Sequence, residues 1–264
     1  MGAVVKTVHG EVRGRVADGG YAFLGVPYAA APFGANRLLP PQPVQRWDGV
    51  RDASSLGPEP PQVAPPGSVV SGWLTATGED CLVLNVWTPD PGAGGLPVMV
   101  WIQGGMFEIQ SSAPYDGGRF ARDGAVCVVI NWRVGAEGFL YLGDEYANLG
   151  LLDQMAALEW VRENIAAFGG DPSNVTVFGE SAGAMSIGTL LSMPRAEGLF
   201  RRAIAQSGAA HHVIFGRGWA ADRTVFGREA GRAVDSGGNR RGPGGAAAHR
   251  ADGVESGPFR ASRS

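Results

Sequence analysis

Over the first 215 residues the apolar positions fall into short strand-like runs and one long helical stripe. Val4–Val8 and Glu11–Val16, with a turn around Gly10, read as an N-terminal hairpin. Later runs at Leu82–Trp87, Val98–Gln103, Ala125–Trp132, Val175–Gly179 and Ala203–Ser207 each end in turn-forming or polar sequence, as strands do. Ala125–Trp132 is apolar almost throughout, which is what a parallel strand covered on both faces requires. The stripe predicts a helix over residues 151–168. There Leu151, Met155, Leu158, Val161 and Ile165 recur at intervals of 4, 3, 3 and 4 and share one face, while Asp153, Glu159, Arg162 and Glu163 fall mostly elsewhere. Gly169-Gly170 stops this helix and Asp171-Pro172 turns the chain. A strand, a helix and a parallel return make a βαβ unit, so the expected class is α/β, a mostly parallel sheet with an antiparallel N-terminal hairpin.

The pattern stops after about Trp219. Residues 216–264 hold 11 Gly and 9 Arg but no Leu, Ile or Met, and carry +4 where residues 1–215 carry −7. Such a segment lacks the apolar residues to build a core. With one Lys against 21 Arg in the whole chain, the coding is expected to be GC-rich. Shifted GC-rich codons yield Gly, Arg, Ala and Pro. The expectation is therefore an ordered unit over 1–215 followed by a Gly/Arg-rich tail that is disordered or out of frame.

Composition narrows the function classes. A net charge of −3 on 264 residues gives no basic field for nucleic acid, and none of the apolar runs approaches a membrane span. The N-terminus has no signal-peptide pattern, and Lys6 stands where a myristoylation motif needs Ser or Thr. Cys81 and Cys127 lie in apolar runs and are expected to be reduced, buried and structural, which favours a cytoplasmic protein. Asn174-Val-Thr176 is formally a glycosylation site, without meaning in that compartment. No metal or nucleotide site is apparent, because the glycine loop at 103–105 lacks the Lys and Ser/Thr of a phosphate-binding loop. No cofactor and no protein partner are expected.

The chemistry sits in Gly179-Glu180-Ser181-Ala182-Gly183, a G-x-S-x-G run between a strand and a helix. So sharp a turn strains the backbone of Ser181 and points its hydroxyl out of the sheet. It also leaves no room for side chains at Gly179 and Gly183. Ser181 then stands at the positive end of the following helix. Attack by a serine on a carbonyl generates an oxyanion, which needs preorganised N–H donors. Ala182 supplies one, and Gly104 and Gly105, in a glycine loop after an earlier strand, supply the others.

Phe168-Gly-Gly-Asp-Pro-Ser-Asn-Val-Thr-Val-Phe-Gly-Glu-Ser-Ala-Gly-Ala184 resembles the serine signature of the type-B carboxylesterase family, and Glu79-Asp-Cys-Leu-Val-Leu-Asn-Val86 resembles its second signature. Phe23–Ala29, Asn131–Gly135, Asn148–Gln154 and Ala205–Gly208 match as well, so the resemblance covers about residues 3–214. It implies an α/β-hydrolase fold and hydrolysis of small to medium carboxylic esters through an acyl-serine, as in bacterial para-nitrobenzyl-esterase-like members. By that resemblance Ser181 is the nucleophile and Gly104, Gly105 and Ala182 are the oxyanion donors. Arg37 and Glu79 form a buried structural ion pair, and Glu180 plays a supporting part. Gln103 stands where many members have His, and Cys81 occupies a disulfide position whose partner cysteine is not in this sequence.

The resemblance also places the catalytic acid and base far downstream of the serine, whereas 83 residues follow Ser181 here. The C-terminal part of the fold is expected to be missing. His9 falls in the hairpin, His211 and His212 follow the last strand, and His249, near Asp252 and Glu255, lies in the tail. None is expected to replace the base, and the other carboxylates, Asp153 included, read as capping or surface groups. A serine without its base is a poor nucleophile, so the chain is expected to be a weak esterase or none. The competing expectation is a non-catalytic binding module of the same fold, against which the intact elbow argues.

Overall fold

The computed structural model describes residues 2–63, 77–141, 143 and 147–208. The expectations for His211, His212, His249, Asp252, Glu255 and the segment 216–264 lie outside the described residues. The N-terminal hairpin forms as β1 (Val4–Lys6) and β2 (Glu11–Arg13), paired antiparallel with Val5 opposite Val12. It joins β5 (Val50–Asp52) in a small three-stranded sheet.

Among the described residues the main sheet has seven strands. They are β3 (Arg15–Ala17), β4 (Gly20–Pro27), β6 (Val83–Thr88), β7 (Leu96–Ile102), β8 (Val126–Ile130), β9 (Gly170–Glu180) and β10 (Arg202–Gln206), in the order β10-β9-β7-β8-β6-β4-β3. The four strands from β8 to β10 run parallel, and β3, β4 and β6 join antiparallel. The buried apolar runs explain the centre: every residue of β6 and β8 is buried.

Among the described residues, four helices connect or flank these strands: α1 (Gly118–Arg122), α2 (Gly135–Phe139), α3 (Leu149–Asn164) and α4 (Ala182–Leu190). A 3₁₀ turn, Ile165–Phe168, carries α3 on to Gly169, whose φ of 86° ends it as expected. Met155, Leu158, Val161 and Ile165 join Val98, Val100, Val175, Val177 and Ile187 in one core, while Ala121 of α1 packs with Trp87, Cys127 and Val129 in a second. The sheet thus separates two apolar layers, the α/β arrangement the sequence implied. No helix among the described residues is long and apolar enough to cross a membrane.

Two charged positions differ from expectation. Arg37 pairs with Glu137 of α2 at 2.6 Å, and its own side chain is largely exposed. Glu79 is exposed too, and no ion pair among the described residues joins it to Arg37. The buried pair is instead Arg133–Asp153, whose side chains are 1% and 0% exposed. Asp153 is therefore neither a cap nor a surface group. Arg37 follows an exposed 3₁₀ turn, Gly34–Asn36, from which a long side chain reaches α2 without being buried.

His9 sits in the β1–β2 turn against Trp47, with ring centroids 6.4 Å apart and its Nδ1 buried without a partner. Burial lowers its pKa from the usual value, opposed by Glu163 and aided by Arg46. A base whose folded pKa is lowered binds fewer protons folded than unfolded, so stability falls as pH drops below about 6.5. Thermal melts at stepwise lower pH should show this decline, and His9→Gln should flatten it. An unchanged pH dependence in the variant would assign the decline to other groups.

Candidate functional site

The topology brings the two sequence motifs together. From β7 the chain crosses through α1 to β8, whereas from the neighbouring β9 it crosses through α4 to β10, on the other side. Connections that diverge from adjacent parallel strands leave a crevice at their carboxyl ends, where α/β folds bind ligands. The carboxyl end of β7 carries Gln103-Gly104-Gly105, and that of β9 carries Glu180-Ser181.

Ser181 stands between β9 and α4 with φ 54° and ψ −120°, a strained conformation for a residue with a side chain. The strain is held at both ends. Its N–H donates to the Gln206 carbonyl at 2.9 Å, and its own carbonyl accepts from Met185 N–H at 2.9 Å. The residue is half-buried, so its hydroxyl is within reach of solvent, while Ala182, the first residue of α4, is buried. The N–H groups of that first turn have no partner inside the helix and remain available to an anion.

Each elbow glycine answers to a steric demand. A Cβ on Gly183 would fall on the Ile102 carbonyl oxygen, well inside contact, and 2.9 Å from the Gln103 oxygen. One on Gly179 would lie 2.5 Å from the same Ile102 oxygen. The backbones of β9 and α4 therefore pass β7 at a distance that no side chain survives. Gly183→Ala should lower the urea midpoint by an amount equivalent to about 1–3 kcal/mol, the range for forced overpacking. A midpoint equal to wild type would mean the elbow yields easily.

The glycine loop abuts the elbow directly. A Cβ on Gly104 would sit 3.1 Å from the Ser181 Cβ and 2.8 Å from the Glu180 carbonyl oxygen. Gly105 has φ 123°, and its carbonyl accepts from the N–H groups of Glu108 and Ile109 at 3.0 Å each. Met106 and Phe107 follow with φ of 58° and 63°, both left-handed. That double strain is anchored by the Phe107 ring, 5.1 Å from Phe139 and 6.2 Å from Trp132. Phe107 also accepts from Gly135 N–H at 2.7 Å. The loop is thus preorganised rather than shaped by whatever binds it.

Support comes from side chains to which the sequence assigned no such role. Gln103 is fully buried and donates through Nε2 to the Ile130 carbonyl at 2.6 Å, tying the base of the glycine loop to β8. Gln154 on α3 donates to Ser186 Oγ of α4 at 3.1 Å and so braces the helix behind Ser181. Asp153 accepts from Arg133 through its backbone N–H at 3.0 Å, Nε at 2.8 Å and the terminal nitrogen at 2.7 Å. Burial pushes the Asp153 carboxyl up against the pull of that guanidinium. The thiols of Cys81 and Cys127 are buried and unpaired, and burial pushes both up to about 12.

The structure brings Ser181, Ala182, Gly179, Gly183, Gly104 and Gly105 into one cluster and leaves Arg37 and Glu79 out of it. His9 is the one histidine among the described residues, and it packs on Trp47 in the small sheet. A strained serine and a glycine loop therefore stand side by side, with no imidazole beside them among the described residues.

Comparison with known proteins fits this geometry. Residues 2–231 match the model of the carboxylesterase family. The chain is 50% identical over 214 residues to the para-nitrobenzyl esterase of Bacillus subtilis (strain 168), covering 78% of this chain and 44% of that protein. It is 46% identical over 226 residues to liver carboxylesterase 1 of Oryctolagus cuniculus, covering 78% and 40%. Among solved structures, the Geobacillus stearothermophilus carboxylesterase Est55 superposes with a TM-score of 0.72 at 50% identity, over 79% of this chain and 44% of that one. A PNB esterase superposes with a TM-score of 0.81 at 45% identity, over 88% and 49%. The chain spans less than half the length of these relatives.

Proposed function

Since the chain belongs to the carboxylesterase family, we propose that it carries the nucleophile half of a carboxylic ester hydrolase. Ser181 Oγ attacks the carbonyl of a small to medium ester. The N–H groups of Gly104, Gly105 and Ala182 hold the oxyanion, the alcohol leaves, and water releases the acid from the acyl-serine. One observation carries this reading: Gly104 lies so close to Ser181 that a single Cβ would fill the space between them. A tetrahedral oxygen formed at Ser181 would therefore meet the loop's amides at once. The two buried free thiols favour a reducing compartment, the cytoplasm, as its place of work.

The same reading leaves the proton of Ser181 without a base among the described residues around it, so turnover by the 264-residue chain is expected to be weak or absent. It also treats the Gly/Arg-rich stretch of residues 216–264 as foreign to the ordered unit, most plainly after residue 231, where the family match ends. The nucleotide sequence tests that point, because a second frame continuing the family's pattern would expose the shift.

The activity test has two arms. The first is hydrolysis of p-nitrophenyl acetate by the 264-residue chain beside Ser181→Ala. The second is the same pair in a chimera, where residues 1–208 are continued by the remainder of the B. subtilis para-nitrobenzyl esterase. Turnover that depends on Ser181 only in the chimera is the expected outcome. Full Ser181-dependent turnover by the short chain would overturn the missing-base part, and a chimera indifferent to Ser181 would overturn the nucleophile.

A further inference from the structure

A cavity of about 650 Å³ opens where the small sheet meets the β3 edge of the main sheet. Four strands separate β3 from β9, which carries Ser181. The backbone explains why a hollow forms there. β2 ends at Arg13 in the small sheet and β3 begins at Arg15 in the main one, so Gly14 alone joins them. A Cβ on Gly14 would lie 2.6 Å from the Ala22 carbonyl oxygen, and one on Gly2 would fall on the carbonyl oxygen of Gly14, well inside contact. The two glycines let the backbones close on each other, so this part of the cavity lining is bare peptide.

The walls carry charge without a protein partner. Arg13 stands in register with Asp52 of β5, but Asp52 turns its Oδ1 back to the Ser54 N–H at 3.0 Å. Neither Arg13 nor Arg15 makes an ion pair or a side-chain hydrogen bond among the described residues. Four other exposed arginines, by contrast, each hold a carboxylate: Arg37 with Glu137, Arg51 with Asp80, Arg119 with Asp123 and Arg122 with Asp18. Two guanidinium groups against one carboxylate leave the cavity with a single positive charge.

Apolar surface lies beside that charge. Val50, two residues before Asp52 and so on the same face of β5, is 41% exposed, and Val16 of β3 is 63% exposed. Both line the cavity. A guanidinium fork matches a planar carboxylate with two parallel hydrogen bonds. One net positive charge suits a monoanion better than a dianion such as phosphate, and a hydrocarbon chain laid on the valines removes apolar surface from water.

We propose that this cavity binds a short aliphatic carboxylate, with its head on Arg13 and Arg15 and its chain across Val16 and Val50. Acids of this class are what hydrolysis of a carboxylic ester releases. The lining includes nothing from the elbow or the glycine loop, so binding stands or falls apart from the proposed activity.

Calorimetric titration of the 264-residue chain with sodium hexanoate tests the site, beside acetate, hexanol and inorganic phosphate at matched ionic strength. Hexanoate should saturate one site with a Kd below about 1 mM. Acetate should bind about tenfold or more weakly, because it leaves the valines uncovered. Hexanol should not saturate. Arg13→Gln and Arg15→Gln should each weaken hexanoate by about tenfold or more through a lost charge-assisted hydrogen bond. Val50→Glu should abolish binding by placing a like charge beside the head. Near-ultraviolet circular dichroism checks that the variants remain folded, and the two arginine variants decide if Val50→Glu does not. Hexanoate that fails to saturate by about 20 mM, or that binds both arginine variants as it binds wild type, overturns the proposal. So does acetate, hexanol or phosphate binding as tightly as hexanoate.

Discussion

Ser181→Ala is expected to lower kcat for p-nitrophenyl acetate by about 10⁵–10⁶-fold in the chimera and by less than about tenfold in the 264-residue chain. The asymmetry follows from how a triad works. Nucleophile and base act as one unit, so removing either costs about as much as removing both. In the chimera the whole unit is present and the substitution destroys it. In the short chain no imidazole stands beside Ser181 among the described residues, so on the proposed reading the hydroxyl that alanine removes contributes little. What persists in both alanine variants is the rate given by oxyanion donors and binding, roughly 10³–10⁴ over water in serine proteases. The N–H groups proposed as donors, those of Gly104, Gly105 and Ala182, belong to the backbone, and the substitution leaves them untouched. KM should therefore change little while kcat falls. Steady-state kinetics on the four proteins, with burst amplitude to count acyl-serine, separates these outcomes. A large KM rise with kcat preserved would show that Ser181 binds rather than attacks.

The fold was legible wherever one periodicity ruled a segment. The runs at 82–87, 98–103, 125–132 and 203–207 coincide with β6, β7, β8 and β10 to within a few residues. β9 begins earlier than its apolar run, at Gly170, because Asp171–Asn174 bulge out where its register against β7 shifts between Leu96 and Val98. β4 escaped because Gly25, at φ 66°, and Pro27 interrupt its pattern. α1 and α2, at five residues each, are too short for a helical period to show. The elbow and glycine loop were readable because their demands are local: close approach forbids side chains, and only glycine satisfies it. The ion pair was not, because it is set by the meeting of two distant segments. α3 is buried around most of its circumference, with Asp153, Gln154 and Asn164 all inside. Reading a single apolar stripe on such a helix turns its buried polar residues into apparent surface.

Breaking that pair is the substitution expected to cost the most stability. Arg133→Met leaves the Asp153 carboxylate buried without its guanidinium, which should lower unfolding free energy by about 3–5 kcal/mol, a large part of the 5–15 kcal/mol typical of a folded domain. Adding Asp153→Leu should recover part of the loss, because a well-packed apolar pair of similar volume is often nearly neutral. Recovery stops short of wild type. The double variant orphans the Arg133 backbone N–H, which donates to Asp153, and the Leu39 carbonyl, which accepts from the guanidinium at 2.8 Å. Each unsatisfied group costs about 1–3 kcal/mol. The single variant also acquires a distinctive pH dependence. Without the guanidinium, burial acts against only the backbone N–H that residue 133 still donates, and holds the folded pKa of Asp153 above the unfolded value of about 3.9. The folded state then binds more protons than the unfolded one, so stability falls as pH rises between the two values. The deficit of Arg133→Met relative to wild type should therefore be smaller near pH 4 than near pH 8. Asp153→Leu alone should show no such relief, because the stranded guanidinium does not deprotonate. Urea titrations followed by the fluorescence of buried Trp132 and Trp160 at both pH values read wild type and all three variants. A deficit for Arg133→Met that does not shrink at low pH would mean that water reaches Asp153 once its partner is gone.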